Sequence, residues 1–241
     1  MNLRKILLIV GGTTSLACAE DVGSDNIRTQ GMYANYQALA EGDGSTQITA
    51  ELRVGGDNGT YVELNDEDEL WAITDDDEVR LRHESTGNQH RYETSLPNDA
   101  EDFEVQIAFS RGEDFDDASD SSAKMPAPFE AELEDPEDES YERGQDVSIV
   151  WDNDQSGSMA WSLEGDCVKL ASGSTDDDGS LTIDGSKIEV WDTDAGEECE
   201  VTIILERVRK GSVDPTFEEG GEFRAIARRS VSFISTPGKD E

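Results

Sequence analysis

The sequence predicts an all-β protein made of two antiparallel β-sandwich domains behind an export signal. Apolar and polar residues alternate in short runs, which is typical of strands that bury one face. Turn signals rich in glycine and aspartate separate these runs at regular intervals. A helical spacing of apolar residues is not sustained over about ten residues anywhere, so no long helix is expected.

The first domain is predicted over residues 28–110. Its clearest strand is Thr46–Val54, where every second residue from Ile48 onward is apolar. The run Gly55–Gly59 is a strong turn signal, because glycine and asparagine accept the positive φ of tight turns. Near the end of the domain, alternate positions of Phe103–Phe109 are apolar, which predicts another strand.

An acidic, serine-rich segment over residues 111–124 has no apolar pattern and is predicted to be a linker. The second domain is predicted over residues 125–237. It contains the alternating strand Val147–Trp151. Two long strands, Glu200–Lys210 and Glu222–Ser235, are expected to close it as a hairpin around a loop rich in glycine and glutamate.

The start of the second domain resembles the opening of immunoglobulin-like and fibronectin-like sandwiches. The proline-containing segment Met125–Phe129 precedes a strand that ends in Trp151, and an apolar strand follows at Met159–Leu163. The whole chain is similar to uncharacterised secreted lipoproteins of marine and predatory bacteria, through its leader, its cysteine pair and its long final strands. This resemblance implies two immunoglobulin-like domains and implies no activity.

Residues 1–17 have the form of an export signal. Two basic residues precede a short apolar run, and small residues then lead to Cys18. This order is typical of a bacterial lipoprotein, in which Cys18 is lipidated and residues 18–27 form an acidic tether. The alternative is ordinary cleavage after Ala19, which fits an A-x-A site. The apolar run is too short for a transmembrane helix, which needs about 20 apolar residues.

The expected location is the bacterial cell envelope, with the protein anchored by its N-terminal lipid, most naturally in the outer membrane. A secreted or periplasmic protein is the alternative. The net charge of −38 restricts the partners further. Nucleic acid requires a basic face, so nucleic-acid binding is excluded. The partners expected are the membrane, through the lipid, and a protein or glycan at the cell surface.

Two cysteines, Cys167 and Cys199, remain in the mature chain. An even number of cysteines in an oxidising compartment predicts a disulfide. Metal binding by this pair is the weaker alternative, because no histidine lies near either cysteine in the sequence.

Asp152, Asp154 and Ser156 match the first half of a calcium loop, in which oxygen-bearing side chains alternate before a glycine. The loop lacks the bidentate glutamate of a complete EF-hand loop, since Leu163 stands at that position. A weaker match covers Ser174–Gly179. Calcium is the one cofactor these patterns suggest, and a solvated hairpin loop is the competing interpretation.

The two histidines, His83 and His90, flank a predicted four-residue turn that would place them opposite each other across a hairpin. Two imidazoles at that spacing suit a zinc ion. A third ligand from Glu84 would point to the other face of the strand, so an exposed histidine pair is the alternative.

Trp191 is the aromatic residue best placed to contact a ligand, because its same-face neighbours in the predicted strand are charged. Trp151 and Trp161 share their register with apolar residues and are predicted to lie in the core. The cations of the final hairpin, within Arg207–Lys210 and Arg224–Arg229, are expected to pair with carboxylates. A docking patch for an anionic glycan or partner is the alternative role for them.

The sequence lacks the motifs of serine nucleophiles, zinc proteases, phosphate loops and dinucleotide sites. We therefore expect a non-enzymatic cell-envelope lipoprotein with a structural or interaction role. The alternative is a calcium-stabilised extracellular binding module, with polysaccharide as its ligand. An acid-pair hydrolase comes third, since carboxylates are too abundant for one pair to be selected.

Overall fold

The computed structural model describes residues 22–135, 140–152, 155, 157–189, 191 and 197–237. All structural statements below concern these residues. The predicted signal at residues 1–17, Cys18, Asp154 and Ser156 lie outside the described residues.

The described residues form β-strands and three short 3₁₀ helices, and they contain no α-helix. The strands of the N-terminal half are β1 (Val22–Gly23), β2 (Tyr33–Ala40), β3 (Thr46–Val54), β4 (Thr60–Glu63), β5 (Glu69–Ile73), β6 (Glu78–Arg80), β7 (Arg82–Thr86), β8 (Gln89–Leu96), β9 (Glu104–Ser110) and β10 (Ala118–Lys124). Those of the C-terminal half are β11 (Ala131–Leu133), β12 (Ser140–Glu142), β13 (Val147–Trp151), β14 (Ser158–Glu164), β15 (Ala171–Asp176), β16 (Ser180–Ile183), β17 (Cys199–Lys210) and β18 (Gly221–Thr236). The 3₁₀ helices are Ser24–Asn26, Thr29–Gly31 and Gly185–Lys187. No helix in this part of the chain is long and apolar enough to cross a membrane.

Eleven strands belong to one large sheet. Eight of them follow the order β1-β4-β3-β2-β18-β17-β14-β15, while β8 pairs with β3, β7 with β8, and β12 with β18. Most pairs are antiparallel, but β1/β4, β12/β18 and β18/β2 are parallel. The large sheet therefore runs through both halves of the chain.

Two smaller sheets pack against the large one and enclose two hydrophobic cores. The four-stranded sheet β10-β9-β5-β6 shares the first core with β2, β3, β4 and β8. The three-stranded sheet β11-β13-β16 shares the second core with β14, β17 and the later part of β18. The prediction of an all-β protein built from β-sandwiches is confirmed, but three strand pairs of the large sheet are parallel rather than antiparallel.

The long strand β18 joins the two sandwiches. Residues Gly221–Ala227 pair in parallel with β2, and residues Arg224–Ser235 pair antiparallel with β17. Phe223 and Ala225 belong to the first core, whereas Val231 and Phe233 belong to the second. Because one strand contributes to both cores, the sandwiches share a continuous ladder of backbone hydrogen bonds.

The tip of the β17–β18 hairpin returns to the first sandwich. Phe217 lies in the first core, edge-on to Tyr36 at 6.3 Å and stacked on Phe109 at 6.2 Å. Asp214 accepts backbone N–H bonds from Thr216 at 2.8 Å and Asp120 at 2.7 Å. Burial raises the pKa of Asp214, but these hydrogen bonds outweigh it and hold the pKa below its usual value. The first sandwich thus contains residues well beyond its predicted range of 28–110.

Two segments predicted to be exposed are folded onto the first sandwich instead. Within the expected tether at 18–27, Val22–Gly23 pairs with β4, and Ser24 is fully buried. Within the expected linker at 111–124, β10 pairs with β9 and buries Ala118 and Ala123. Both segments are short and acidic, so local composition indicates a loop, while the partner strand supplies the missing apolar surface.

Cys167 and Cys199 form a disulfide, as predicted, with Cα atoms 6.2 Å apart. This distance lies within the usual range of about 4.4–6.8 Å. Cys199 is the first residue of β17, so the bridge holds the segment after β14 against the start of the long hairpin. Cross-linking of this kind stabilises a fold mainly by restricting the unfolded chain.

Candidate functional site

The outer face of the large sheet runs through both halves of the chain and carries many polar side chains. In the C-terminal half, the odd-numbered residues of β14 and β17, such as Trp161 and Ile203, point into the second core. The even-numbered residues therefore point outward. Together with their partners on β15 and β18, these outward residues include small hydroxyl side chains, charged side chains and the apolar residues Ile204 and Ile234. The hydroxyl residues among them include Ser162, Ser172, Ser174, Thr202, Ser230 and Ser232. The hydroxyls of Thr202 and Ser232 lie 2.9 Å apart across the β17–β18 ladder.

In the N-terminal half, the outer face carries amide and charged side chains held in a network. Glu51 in β3 accepts a bond from Arg53 at 2.8 Å and from Arg91 at 3.2 Å. Arg53 also lies over the ring of Tyr61, 4.6 Å from its centroid. This network lines a shallow cleft of about 330 Å³, whose remaining lining residues are Asn35, Gln37, Thr49 and Gln89. The cleft offers hydrogen-bonding groups in fixed positions.

An apolar row crosses the outer face where the two halves meet. Leu39, Ile226 and Val208 are aligned in register on β2, β18 and β17, and they belong to neither core. Leu39 and Ile226 are buried, because charged rows flank them on both sides. One flanking row is the pair Glu206–Arg228, with nitrogen–oxygen distances of 2.9 and 2.6 Å. Charged side chains therefore cover Leu39 and Ile226, and the junction does not expose an apolar patch at these two residues.

The cations of the final hairpin pair with carboxylates. Arg209 donates to Asp102 at 2.6 Å, Arg224 lies 3.3 Å from Glu222, and Arg229 lies 3.5 Å from Glu130. This agrees with the expected pairing role. A docking patch for an anionic glycan at these cations has no observation in its favour.

Trp191 is 48% exposed. Leu170, in the segment that pairs with the backbone before Trp191, is 82% exposed. The backbone N–H of Trp191 donates to the carbonyl of Cys167 at 3.0 Å, and Lys169 Nζ lies 5.8 Å from the indole ring. Trp151 and Trp161 are buried in the second core, as predicted. The role of Trp191 as a ligand contact stays a prediction.

The candidate calcium loop is only partly described. Asp152 Oδ1 accepts the backbone N–H of Glu130 at 2.6 Å, so one of its oxygens already has a partner. Asp154 and Ser156 lie outside the described residues. Calcium binding by Asp152, Asp154 and Ser156 therefore stays a prediction.

The weaker calcium match at Ser174–Gly179 supplies a buried ion pair instead. Asp177 receives two bonds from Arg207, Nε to Oδ2 at 2.6 Å and Nη2 to Oδ1 at 2.8 Å. Trp151 Nε1 donates to the same carboxylate at 2.9 Å. With its oxygens taken by these donors, Asp177 is a structural residue of the second core.

A second buried ion pair anchors the N-terminal segment to the first sandwich. Arg111 Nη2 lies 3.1 Å from Asp68 Oδ2, and the two side chains are 0% and 1% exposed. The same guanidinium donates to the carbonyls of Ser24 at 2.7 Å and Ile27 at 2.9 Å. It also lies over the ring of Phe115, 4.1 Å from the centroid. Arg111 therefore ties three separate segments together.

Sequence reasoning missed both ion pairs, although a signal for them exists. Arg111 follows Val105, Ile107 and Phe109 at the same two-residue spacing, and these three residues lie in the first core. Arg207 likewise continues the core-facing series of Val201–Leu205 in β17. An arginine that directly continues an inward-facing apolar series is a candidate for burial, and a buried charge requires a partner.

The predicted pairing of His83 with His90 is wrong by two residues in the register of the hairpin. The turn of the β7–β8 hairpin has two residues, Gly87 and Asn88, because Thr86 pairs with Gln89. Gly87 adopts a φ of 62°, which glycine tolerates at the first central position of such turns. His83 therefore stands opposite Tyr92, and His90 is its diagonal neighbour on the same face.

Comparisons with known proteins do not assign this chain to a family. No protein-family model matches the sequence, and no curated protein matches it. The chain is similar to the crystal structure of chicken CNTN1 FN1–FN3 domains, with 8% identity, a TM-score of 0.31, and coverage of 90% of this chain and 68% of that one. It is also similar to trypsin-activated alpha-2-macroglobulin from Escherichia coli, with 11% identity, a TM-score of 0.25, and coverage of 84% of this chain and 16% of that one.

The strands and cores define the class of protein. The described chain is an all-β protein in which two β-sandwiches share one eleven-stranded sheet.

Proposed function

We propose that this protein is a non-enzymatic interaction protein of the bacterial cell envelope, exported and anchored by a lipid on Cys18. The observation that carries the proposal is the outer face of the shared sheet. It spans both sandwiches, displays hydroxyl and amide groups, and is supported by two packed cores. A rigid polar face of this kind suits the binding of a protein or glycan better than it suits catalysis in an enclosed cleft.

The charge of the chain supports the choice of partner. The net charge of −38 repels nucleic acid and anionic membrane surfaces. Most of the described arginines near the outer face are already paired with carboxylates, as with Arg53 and Arg228. The partner is therefore a neutral glycan or a protein with a neutral or basic surface.

The fold of the N-terminal segment determines how close an anchored protein would lie to the membrane. Val22 is already paired in the large sheet through Val62. Four residue steps separate Cys18 from Val22, and they reach about 14 Å at full extension. A lipid on Cys18 would therefore hold the β1/β4 edge of the first sandwich close to the bilayer.

Replacing the anchor is expected to release the protein. Cys18→Ser removes the lipidation site, so the variant should move from the membrane fraction to the soluble fraction. Mass spectrometry of the wild-type N-terminus should find a diacylglyceryl group on Cys18. The double variant Cys167→Ser with Cys199→Ser is the matched control, since it also removes cysteines but should stay with the membrane. A mature chain that begins at Glu20 would contradict the anchor.

The interaction role is tested by photo-crosslinking in living cells. A photoreactive amino acid at Ser172, on the outer face of the large sheet, is expected to yield a discrete crosslinked product. The same probe at Thr182, an exposed position on the opposite three-stranded sheet, is the control and should yield none. Equal products from the two positions, or no product from Ser172, would contradict the proposed face.

A further inference from the structure

A cluster of two histidines and one glutamate lies at the rim of the first sandwich. His83 is in β7, His90 is in β8, and Glu63 ends β4. One potential ligand atom from each of the three residues lies within 4.8 Å of the other two. Glu63 is remote from both histidines in sequence, and only the packing of β4 against the β7–β8 hairpin brings it there.

The two imidazoles point at each other. His83 Nε2 and His90 Nδ1 are 2.9 Å apart, and the rings stack with centroids 5.1 Å apart. His90 is 4% exposed, while His83 and Glu63 are open to solvent. One side of the cluster is therefore fixed by burial, and the other side is reachable by an ion.

Tyr92 contacts both His83 and the end of β4. Its ring stacks on His83 with centroids 5.0 Å apart, and its hydroxyl accepts the backbone N–H of Leu64 at 2.7 Å. Because Leu64 follows Glu63, this bond fixes the backbone at the end of β4 beside the hairpin.

We propose that Glu63, His83 and His90 bind a divalent transition-metal ion, with zinc as the reference ion. Imidazole nitrogen suits zinc, copper and nickel, whereas calcium prefers a shell of oxygen ligands. Two histidines and one carboxylate make a three-ligand zinc site with an open fourth position for water. The ion would replace the contact between His83 and His90.

The spacing of the two imidazole nitrogens requires only a small adjustment. Two zinc–nitrogen bonds of about 2.0–2.1 Å at a tetrahedral angle place the nitrogens roughly 3.3 Å apart. The observed separation is 2.9 Å. A small rotation of the exposed His83 ring opens the gap, while His90 stays in its buried position.

The ion would cross-link the turn end of the β7–β8 hairpin to strand β4. Strand β8 pairs with β3 only over Tyr92–Leu96, so the end of the hairpin near the turn extends beyond that pairing. Coordination by His83 and His90 on the hairpin and by Glu63 on β4 would fasten this extension. This role is independent of the proposed anchor and of the proposed binding face.

Zinc titration of the mature chain, made without a histidine tag, tests the site directly. The chain has two histidines, so every imidazole signal in its NMR spectrum comes from this cluster. In a background of millimolar magnesium and calcium, one equivalent of zinc is expected to shift the signals of both histidines and then saturate. Imidazole signals that move only after several equivalents, as for ions held loosely by surface carboxylates, would overturn the proposal.

Matched variants assign the ligands. His83→Gln is expected to weaken zinc binding by at least about 100-fold, and Glu63→Gln by about tenfold or more, since even supporting residues of metal sites act on this scale. Glu84→Gln removes the same charge as Glu63→Gln, but Glu84 lies on the face of β7 opposite to His83. The Glu84→Gln variant should therefore bind zinc with the wild-type affinity. Circular dichroism confirms folding of each variant. Equal affinities of wild type, His83→Gln and Glu84→Gln would refute the site.

Discussion

Replacing Arg111 by methionine is expected to lower the free energy of unfolding by about 3–5 kcal/mol. The substitution leaves the carboxylate of Asp68 buried without its cation, and both side chains are almost fully excluded from solvent. It also removes the donors to the carbonyls of Ser24 and Ile27. Urea unfolding followed by circular dichroism measures the loss.

Two further variants separate the ion pair from simple packing. In Arg111→Met with Asp68→Leu, both charges are gone, so much of the lost stability should return. Arg80→Met removes an arginine whose pair with Glu69 is largely exposed, and it should cost less than about 1 kcal/mol. If Arg111→Met costs no more than Arg80→Met, the buried pair does not stabilise the fold as argued.

Replacing Arg207 by methionine is expected to cost a similar amount, about 3–5 kcal/mol, in the second sandwich. Among the described residues, the Asp177 carboxylate would keep only the indole N–H of Trp151 as a side-chain partner. The contact between the guanidinium and the ring of Phe129, 4.9 Å from its centroid, would also be lost. Arg228→Met is the control, because its pair with Glu206 is partly exposed and should contribute less than about 1 kcal/mol.

The two variants together test whether the sandwiches unfold as one unit. Arg111 stabilises the first core and Arg207 the second, but β17 and β18 connect the two through the shared sheet. Each variant should therefore shift a single unfolding transition seen by both circular dichroism and tryptophan fluorescence. Two separate transitions, each moved by only one variant, would show that the sandwiches unfold independently.

Much of the secondary structure was predictable because it depends on local patterns. Alternation predicted β3 at its observed bounds of Thr46–Val54, and it predicted the long final strands to within a residue or two of β17 and β18. The disulfide followed from the cysteine count and is confirmed. These features need only the two-residue period of a strand or the chemistry of a pair of cysteines.

The pairing of distant segments was not predictable in the same way. Composition indicated a tether at 18–27 and a linker at 111–124, yet Ser24 and Ala118 are buried. A short polar segment becomes a strand when a neighbouring strand supplies hydrogen bonds and apolar cover, and no local pattern encodes that neighbour. The parallel pairing of β18 with β2 is of the same kind.

The candidate sites show the same division. From residue types alone, the sequence identified His83 and His90 as a pair of potential ligands, but the buried roles of Arg111 and Arg207 were not predicted. It could not supply Glu63, because that contact depends on how β4 packs against a hairpin about twenty residues away in sequence. Local periodicity specifies which face of a strand a side chain occupies, whereas long-range packing decides which other side chains it meets.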